Sequence, residues 1–273
     1  MPSETAGHHD EGVLLDDLGT RVDVLPGSVR RVVSLVPSLT ESVAETSPGL
    51  LVGATDWCAY PAGLEVVRVG GTKSPRLSDV IALGPDLVLA NEEENRREDV
   101  EALRAAGLVV WVTAPRTLSQ AFGSLQRMLG ACGLERPEWL DTARRVWANT
   151  YDGSLPWVTA VVPVWRRPWQ VLGSDTFAGD MLAHLGVGNV FGREVERYPK
   201  VSPAQMRERH PGLLVLPDEP FRFTLDDRPD ELADLPVALL SGRHLTWYGP
   251  SLVSARSVLE QQLQDAHVLV GAR

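Results

Sequence analysis

Short apolar runs rich in β-branched residues recur at positions 31–35 (RVVSL), 51–54, 86–90 and 109–113. Each is bounded by proline, glycine or polar residues, and each predicts a strand. Helical patterns fill the intervals. Ser38 and Glu41 in PSLTE have capping-box spacing directly after the first strand, and a helix over 77–83 is closed by Gly84 and Pro85. The alternation of strand and helix predicts an open α/β lobe with a parallel sheet.

Thr117 with Gln120 repeats the capping spacing and opens a helix that stops at Gly133. From Pro137 onward, Trp139, Leu140, Ala143, Val146, Trp147, Thr150 and Tyr151 form an i, i+3, i+4 stripe. A helix of roughly seventeen residues, 136–151, would span ~25 Å, enough to connect two lobes. After Pro156 the α/β pattern resumes with WVTAVVPVW, QVLG and a helix over 176–185 capped by Ser174 or Asp175. Ser202 and Gln205, with Pro203 in the first turn, cap a short helix. Strands follow at 213–216 and 237–240, and Gly249 and Pro250 open a last helix that aligns Leu252, Ala255, Leu259 and Leu263. The expected organisation is a disordered tail (1–18), an N-terminal α/β lobe (19–115), a helical connector (116–153) and a C-terminal α/β lobe (154–273).

Composition narrows the function. A chain of 273 residues has room for two lobes, and 26 basic against 36 acidic residues leave a formal charge of −10. No Lys/Arg cluster exceeds a pair of arginines, which excludes nucleic acid as the main partner. The first residues lack a basic segment followed by an apolar core, and no window approaches the ~20 apolar residues of a membrane span, so a soluble, cytoplasmic protein is expected. A start placed wrongly would instead allow an extracytoplasmic one. Cys58 and Cys132 are far apart and read as small buried hydrophobes rather than a disulfide or zinc site.

Ligands in open α/β sheets sit beyond the carboxyl ends of the strands. There the chain offers Pro37 and Ser38, Trp57 to Tyr60, and Asn91 to Asn95, then WRRPW at 165–169, residues 218–223, and HLTWY at 244–248. The burst NEEEN at 91–95 has several readings. Three consecutive glutamates point in different directions and cannot all grip one ion. As an acid–base pair, Glu92 or Glu93 would need burial and a second group. A solvated loop with first-turn acids, or a cleft rim where one or two of Asn91, Glu92, Glu93 and Asn95 hydrogen-bond a polar ligand, are the other two. Eight tryptophans against five phenylalanines are unusual. Trp165, Trp169, Trp247 and Tyr248 have no periodic core face, and read either as packing or as rings that clamp a slab-like ligand. His244, beside Trp247, is the one histidine near this set. No GxSxG, HExxH, Walker or dinucleotide fingerprint occurs.

The segments RRVVSLVPSLTE, YPAGLEVVRVGGTKSPRLSDVIALGPDLVLANEEENRREDVEAL, PWQVLGSDTFAGDMLAHLGVGNVF and YPKVSPAQMRERHPGLLVL, in this order, resemble the helical-backbone (class III) substrate-binding proteins that serve cobalamin, haem and ferric-siderophore transporters. The likeness is nearest to cobalamin binders and runs from about residue 19 to 263. It implies two Rossmann-like lobes with open, mainly parallel sheets joined by one long helix, and a ligand held in the groove between them by aromatic and polar side chains. Trp57 falls where an aromatic contacts the corrin, and Lys73 stands where the cobalamin binder has a tryptophan. The exposed glutamates by which secreted members dock on a permease fall at Ser78 and at Ala204 or Pro203, so the docking salt bridges are not expected.

The resulting expectation is a non-catalytic receptor for a bulky metal chelate: corrinoid, tetrapyrrole or siderophore-like. Trp57, Tyr60, Lys73, Glu92, Asn95, Trp165, Trp169, Trp247 and Tyr248 would line the site, with His244 as an axial metal ligand. No intrinsic cofactor is expected; cobalamin, haem or a ferric chelate would be the ligand. The alternatives are an enzyme that processes such a chelate through Glu92 or Glu93, and an ordinary transporter component.

Overall fold

The computed structural model describes residues 14–25, 27–148, 150 and 158–266. Two compact units divide the chain, the first comprising Met1–Ala114 and Gln126–Glu135, the second Pro115–Leu125 and Arg136–Arg273.

In chain order the first unit contains β1 (Val32–Ser34), α1 (Pro37–Thr46), β2 (Leu51–Ala54), β3 (Val67–Arg68), β4 (Gly70–Gly71), β5 (Ser74–Pro75), α2 (Leu77–Ala82), β6 (Leu87–Asn91), α3 (Arg97–Ala105) and β7 (Val110–Thr113). Its main sheet is parallel throughout, in the order β3-β2-β1-β6-β7, and β4 and β5 form a separate antiparallel hairpin. All five residues of β6 are buried, which is why it reads as an unbroken apolar run rather than an alternating one. Val33, Leu35, Val88, Ala90 and Val112 from the sheet pack with Val80, Val100 and Leu103 from α2 and α3.

Helix α4 (Leu118–Ala131) begins in the second unit's residues and ends in the first's. The second unit continues with α5 (Glu138–Trp147), β8 (Val158–Val161), β9 (Pro163–Trp165), β10 (Gln170–Val171), α6 (Phe177–His184), β11 (Val187–Asn189), α7 (Pro203–Glu208), β12 (Leu213–Pro217), β13 (Val237–Leu240), α8 (Gly242–Thr246) and α9 (Leu252–Asp265). Its parallel sheet has the order β11-β8-β12-β13, with β9 and β10 as a side hairpin. Val161, Leu214, Leu216, Met206 and Phe223 are among the buried residues of its core.

Three local expectations change. The helix expected over 136–151 is α5, which lies within the second unit. It buries Leu140, Ala143 and Trp147 and packs on α9, where the Trp147 indole donates to the Leu252 carbonyl at 2.9 Å. The helix whose residues divide between the units is α4. Tyr151 lies outside the described residues. Ser38 is not an N-cap, because α1 already starts at Pro37 and Val36 precedes it with no side-chain cap. The cap of α6 is Thr176, not Ser174 or Asp175. The Ser202–Gln205 capping box on α7 is present in full.

Residues 1–13 of the expected tail lie outside the described residues, but residues 14–18 do not behave as a tail. Leu15 bridges to Arg21, and the buried Asp16 accepts from the backbone of Leu18 (3.0 Å) and Thr20 (2.8 Å) while pairing with Arg104 (3.1 Å). Asp17 accepts from Ala114 N at 2.8 Å and from Arg127 at 2.6 Å. This segment is stitched to the β7 edge, and Asp16 is its anchor. Asp16→Ala would strand the half-buried Arg104 and two turn amides, so a loss of about 3 kcal/mol in a urea unfolding titration is expected.

Candidate functional site

Where the strand order of an open parallel sheet reverses, the loops from two neighbouring strands leave in opposite directions and a crevice opens at their carboxyl ends. The reversal falls between β1 and β6 in the first unit and between β8 and β12 in the second. At the first, Asn95 of the loop after β6 reaches Leu35 at the end of β1; at the second, Trp165 and Trp169 meet Phe221 and Phe223 of the loop after β12.

In the first unit, Asn91 at the end of β6 shapes the glutamate burst. Its Oδ1 accepts from Glu93 N (2.7 Å) and Glu94 N (3.0 Å), and its Nδ2 donates to the Thr113 carbonyl (3.0 Å), an Asx-type turn. Glu92 projects outward and is exposed. No group of three or more His, Cys, Asp or Glu able to hold a metal occurs among the described residues. Asn95, expected on the rim, is 4% exposed. Its Oδ1 accepts from Asn91 N (2.8 Å), while Nδ2 donates to the carbonyls of Leu35 (3.2 Å) and Thr72 (3.0 Å). Its polar atoms are committed to the scaffold, so it ties together the β1 end, the β4–β5 hairpin and its own loop.

Lys73, at the tip of that hairpin, is exposed, and its ammonium donates to the Glu93 carbonyl. Beside the hairpin lies the loop carrying Trp57, 69% exposed, and Tyr60, 41% exposed. A side chain at Gly71 would meet the Trp57 indole, with its Cβ only 3.4 Å from Nε1. Sequence inspection did not single out Arg68, which holds this loop. Its guanidinium donates to the carbonyls of Thr55 (2.9 Å), Cys58 (2.9 Å) and Leu64 (3.2 Å). The Cys58 thiol beneath is buried, and burial pushes its pKa up despite the Thr40 and Thr55 hydroxyls, so it stays an inert thiol.

In the second unit, Trp165 ends β9 and pairs in register with Gln170 of β10, and the turn between them carries Arg166, Arg167, Pro168 and Trp169. Trp169 stacks on the buried Phe223, 5.9 Å between centroids and 5° from parallel. Trp165 meets Phe221 edge-on at 5.6 Å and remains 44% exposed. Phe221 and Phe223 come from the loop after β12, and their rings touch at 4.6 Å. Arg166 lies 5.4 Å over Trp169 and forms an ion pair with Asp227. The rings are therefore shared: Trp169 is half packing and half surface, and Trp165 is mostly surface. Phe221 and Phe223 escaped notice as individuals; their signal is the F-R-F alternation directly after a buried strand.

The same loop reaches Trp247, whose indole donates to Glu219 Oε2 at 3.0 Å while Arg243 sits 5.7 Å over the ring. Gly242 allows this approach, since a Cβ there would fall 2.5 Å from the Glu219 backbone. Burial raises the Glu219 pKa, the Trp247 bond and Arg243 opposing it. Tyr248, expected to face a ligand, is 4% exposed and packs edge-on against Phe177 at 5.6 Å, a core position. His244 has both ring nitrogens near hydroxyls, Nδ1 at 2.8 Å from Ser241 and Nε2 at 3.3 Å from Ser254. Burial and then Arg243 lower its pKa, which favours the neutral, hydrogen-bonded ring.

No protein-family model matches the chain. The vitamin B12-binding protein of Photorhabdus laumondii is 26% identical over 249 residues, covering 86% of this chain and 88% of that one. The crystal structure of the periplasmic vitamin B12 binding protein of Vibrio cholerae superposes with a TM-score of 0.69 at 19% identity, covering 88% of this chain and 99% of that one. The periplasmic heme-binding protein of Roseiflexus sp. RS-1 gives a TM-score of 0.69 at 21% identity with the same coverage. The solved structures establish the fold, two α/β units of the periplasmic-binding-protein type, and the resemblance to cobalamin-, haem- and siderophore-type binding proteins is supported over most of the chain. They also overturn the cytoplasmic expectation. The solved structures this chain resembles are of periplasmic proteins, which does not support a cytoplasmic location. The residues at which this sequence begins say nothing about where the folded chain works.

Two outcomes follow. Arg68→Ala frees three carbonyls, so amide exchange in peptides covering 55–64 should accelerate roughly tenfold while β6 peptides are unchanged. Glu219 has a raised folded pKa, so its contribution to stability is fully present below the ordinary value of 4.5 and is lost as pH rises through the folded value. Glu219→Gln keeps an acceptor for Trp247 and cannot ionise. Its thermal midpoint should exceed that of the parent above neutrality, with the gap closing towards pH 4.

Proposed function

We propose, from its kinship with vitamin B12- and heme-binding proteins, that this chain is a non-catalytic receptor for a bulky metal chelate of corrinoid, tetrapyrrole or siderophore type. The observation that carries the reading is the presence of large exposed rings on loops beyond the carboxyl ends of the sheet strands in each unit. Trp57 and Tyr60 lie in one unit and Trp165 in the other, and all stay open to solvent where burial would stabilise each by roughly 2 kcal/mol. Trp169, Trp247, Lys73 and Glu92 belong to the same surfaces and supply edges and polar contacts. Asn95 and Tyr248 act from beneath, by holding the loops and the packing in place.

The reading contains no catalytic step. Glu92 is exposed, and Glu93 and Glu94 sit in a turn organised by Asn91, which lacks the buried acid–base pair that proton transfer needs. It also contains no carboxylate-mediated docking on a permease at the two positions considered. Ser78 and Ala204, the second residues of α2 and α7, are exposed and uncharged, and the neighbouring Asp79 is paired with Arg76 at 2.6 Å.

Absorbance titrations with haemin, cyanocobalamin and a ferric siderophore test this directly. A saturable spectral shift at micromolar protein is expected with at least one. Trp57→Ala and Trp165→Ala should each weaken it roughly tenfold without altering the unfolding midpoint. No shift and no co-elution with any of the three would overturn the reading.

A further inference from the structure

Resting on that reading, we infer that Gly71 is a positioning residue. The β4–β5 hairpin, latched at its tip, sets the pose in which Trp57 meets the ligand, and the bare backbone at Gly71 sets how close the ring lies to it.

Trp57 has little else to orient it. Its ring is 69% exposed and has no hydrogen-bond, ring or cation partner among the described residues. The backbone around it is held, since Asp56 N donates to the Gly70 carbonyl at 2.8 Å and Cys58 N to the Thr55 carbonyl at 3.1 Å. What faces the ring is Gly71. A Cβ there would stand 3.4 Å from the indole Nε1 and 4.0 Å from Cδ1, so the pyrrole edge is turned to the hairpin and the benzo edge away from it. Gly71 does not adopt a positive φ, so the backbone makes no demand for glycine at this position. Space is what the residue supplies. A methyl would touch the ring and press the Ser74 hydroxyl at 3.1 Å, whereas a larger side chain would need the volume that the indole fills.

A loose hairpin could not hold a ring. This one has only two residue pairs, Gly70 with Pro75 and Gly71 with Ser74, and such a short ladder is not stable by itself. Its base is fixed by Arg76 N, which donates to the Val69 carbonyl at 2.7 Å. Its tip is fixed by the loop after β6: Asn95 Nδ2 donates to the Thr72 carbonyl at 3.0 Å, and the Lys73 ammonium donates to the Glu93 carbonyl. Because the same Asn95 amide also reaches the Leu35 carbonyl at 3.2 Å, the tip is referred to the end of β1. Sheet, loop, hairpin and ring thus form one chain of contacts, and a ring supported in this way meets its ligand with its orientation already chosen.

The test labels the full chain with 5-fluorotryptophan and follows the fluorine resonance of Trp57, assigned by its loss in Trp57→Phe, beside absorbance titrations with haemin, cyanocobalamin and a ferric siderophore. Gly71→Ala should move that resonance little and keep affinity within about twofold. Gly71→Val should shift it, leave the other tryptophan resonances in place, and weaken whichever chromophore binds by roughly tenfold. In the Trp57→Ala background Gly71→Val should cost nothing further, because the ring through which it acts is gone. Lys73→Met removes one latch without adding volume beside the ring; it should shift or broaden the same resonance, and it carries the test if the valine variant does not fold. A Trp57 resonance unmoved by Gly71→Val or by Lys73→Met, or an affinity loss in Gly71→Val that persists in the Trp57→Ala background, would overturn this inference and leave the receptor reading standing. Binding of none of the three chromophores would overturn both.

Discussion

Burial of parallel strands on both faces is the constraint from which the rest of this structure follows. The residues of β6 and β12 are wholly enclosed, so neither strand can present chemistry along its length. Polar and aromatic side chains are pushed to the strand ends. In each unit the loop leaving such a strand, 91–96 in one and 218–223 in the other, meets a segment from its neighbour at the reversal of strand order. A surface with rings and charges is the geometric by-product of a sheet that has no other free place for them.

Each unit solves the resulting problem of loose loops differently. The first uses polar anchors: Asn91 and Asn95 bind backbone amides and carbonyls, and Arg68 gathers three carbonyls under the Trp57 loop. The second uses rings, with Phe223 under Trp169 and Phe177 under Tyr248, supplemented by the Glu219–Trp247 bond. Hydrogen bonds fix direction, whereas aromatic packing fixes separation more than angle.

The strands and the parallel α/β class were legible in the sequence because fully buried strands leave continuous apolar runs, and β2, β6, β7, β12 and β13 fall close to the runs that announced them. The candidate surface was legible only as a neighbourhood. Asn95 and Tyr248 looked like rim residues because polarity and aromaticity do not reveal on which side of a loop a side chain lies. Arg68 was missed, and Glu219 stood out only as part of 218–223, because their partners at Cys58 and Trp247 are 10 and 28 residues away and no local spacing records such a contact. The tail boundary was misplaced for the same reason: Asp16 is anchored by Arg104, far along the chain. Ser38 and Glu41 matched a cap by spacing, but Pro37 had already begun the helix.

The single amide of Asn95 joins three stretches of backbone, and that has a thermodynamic corollary. Conformational entropy at this rim is surrendered when the chain folds rather than when a guest arrives. The surface is preorganised: under the proposed receptor role, encounter with a rigid chelate would incur little ordering cost there, and differences in affinity between guests would be expressed mainly in how fast they leave.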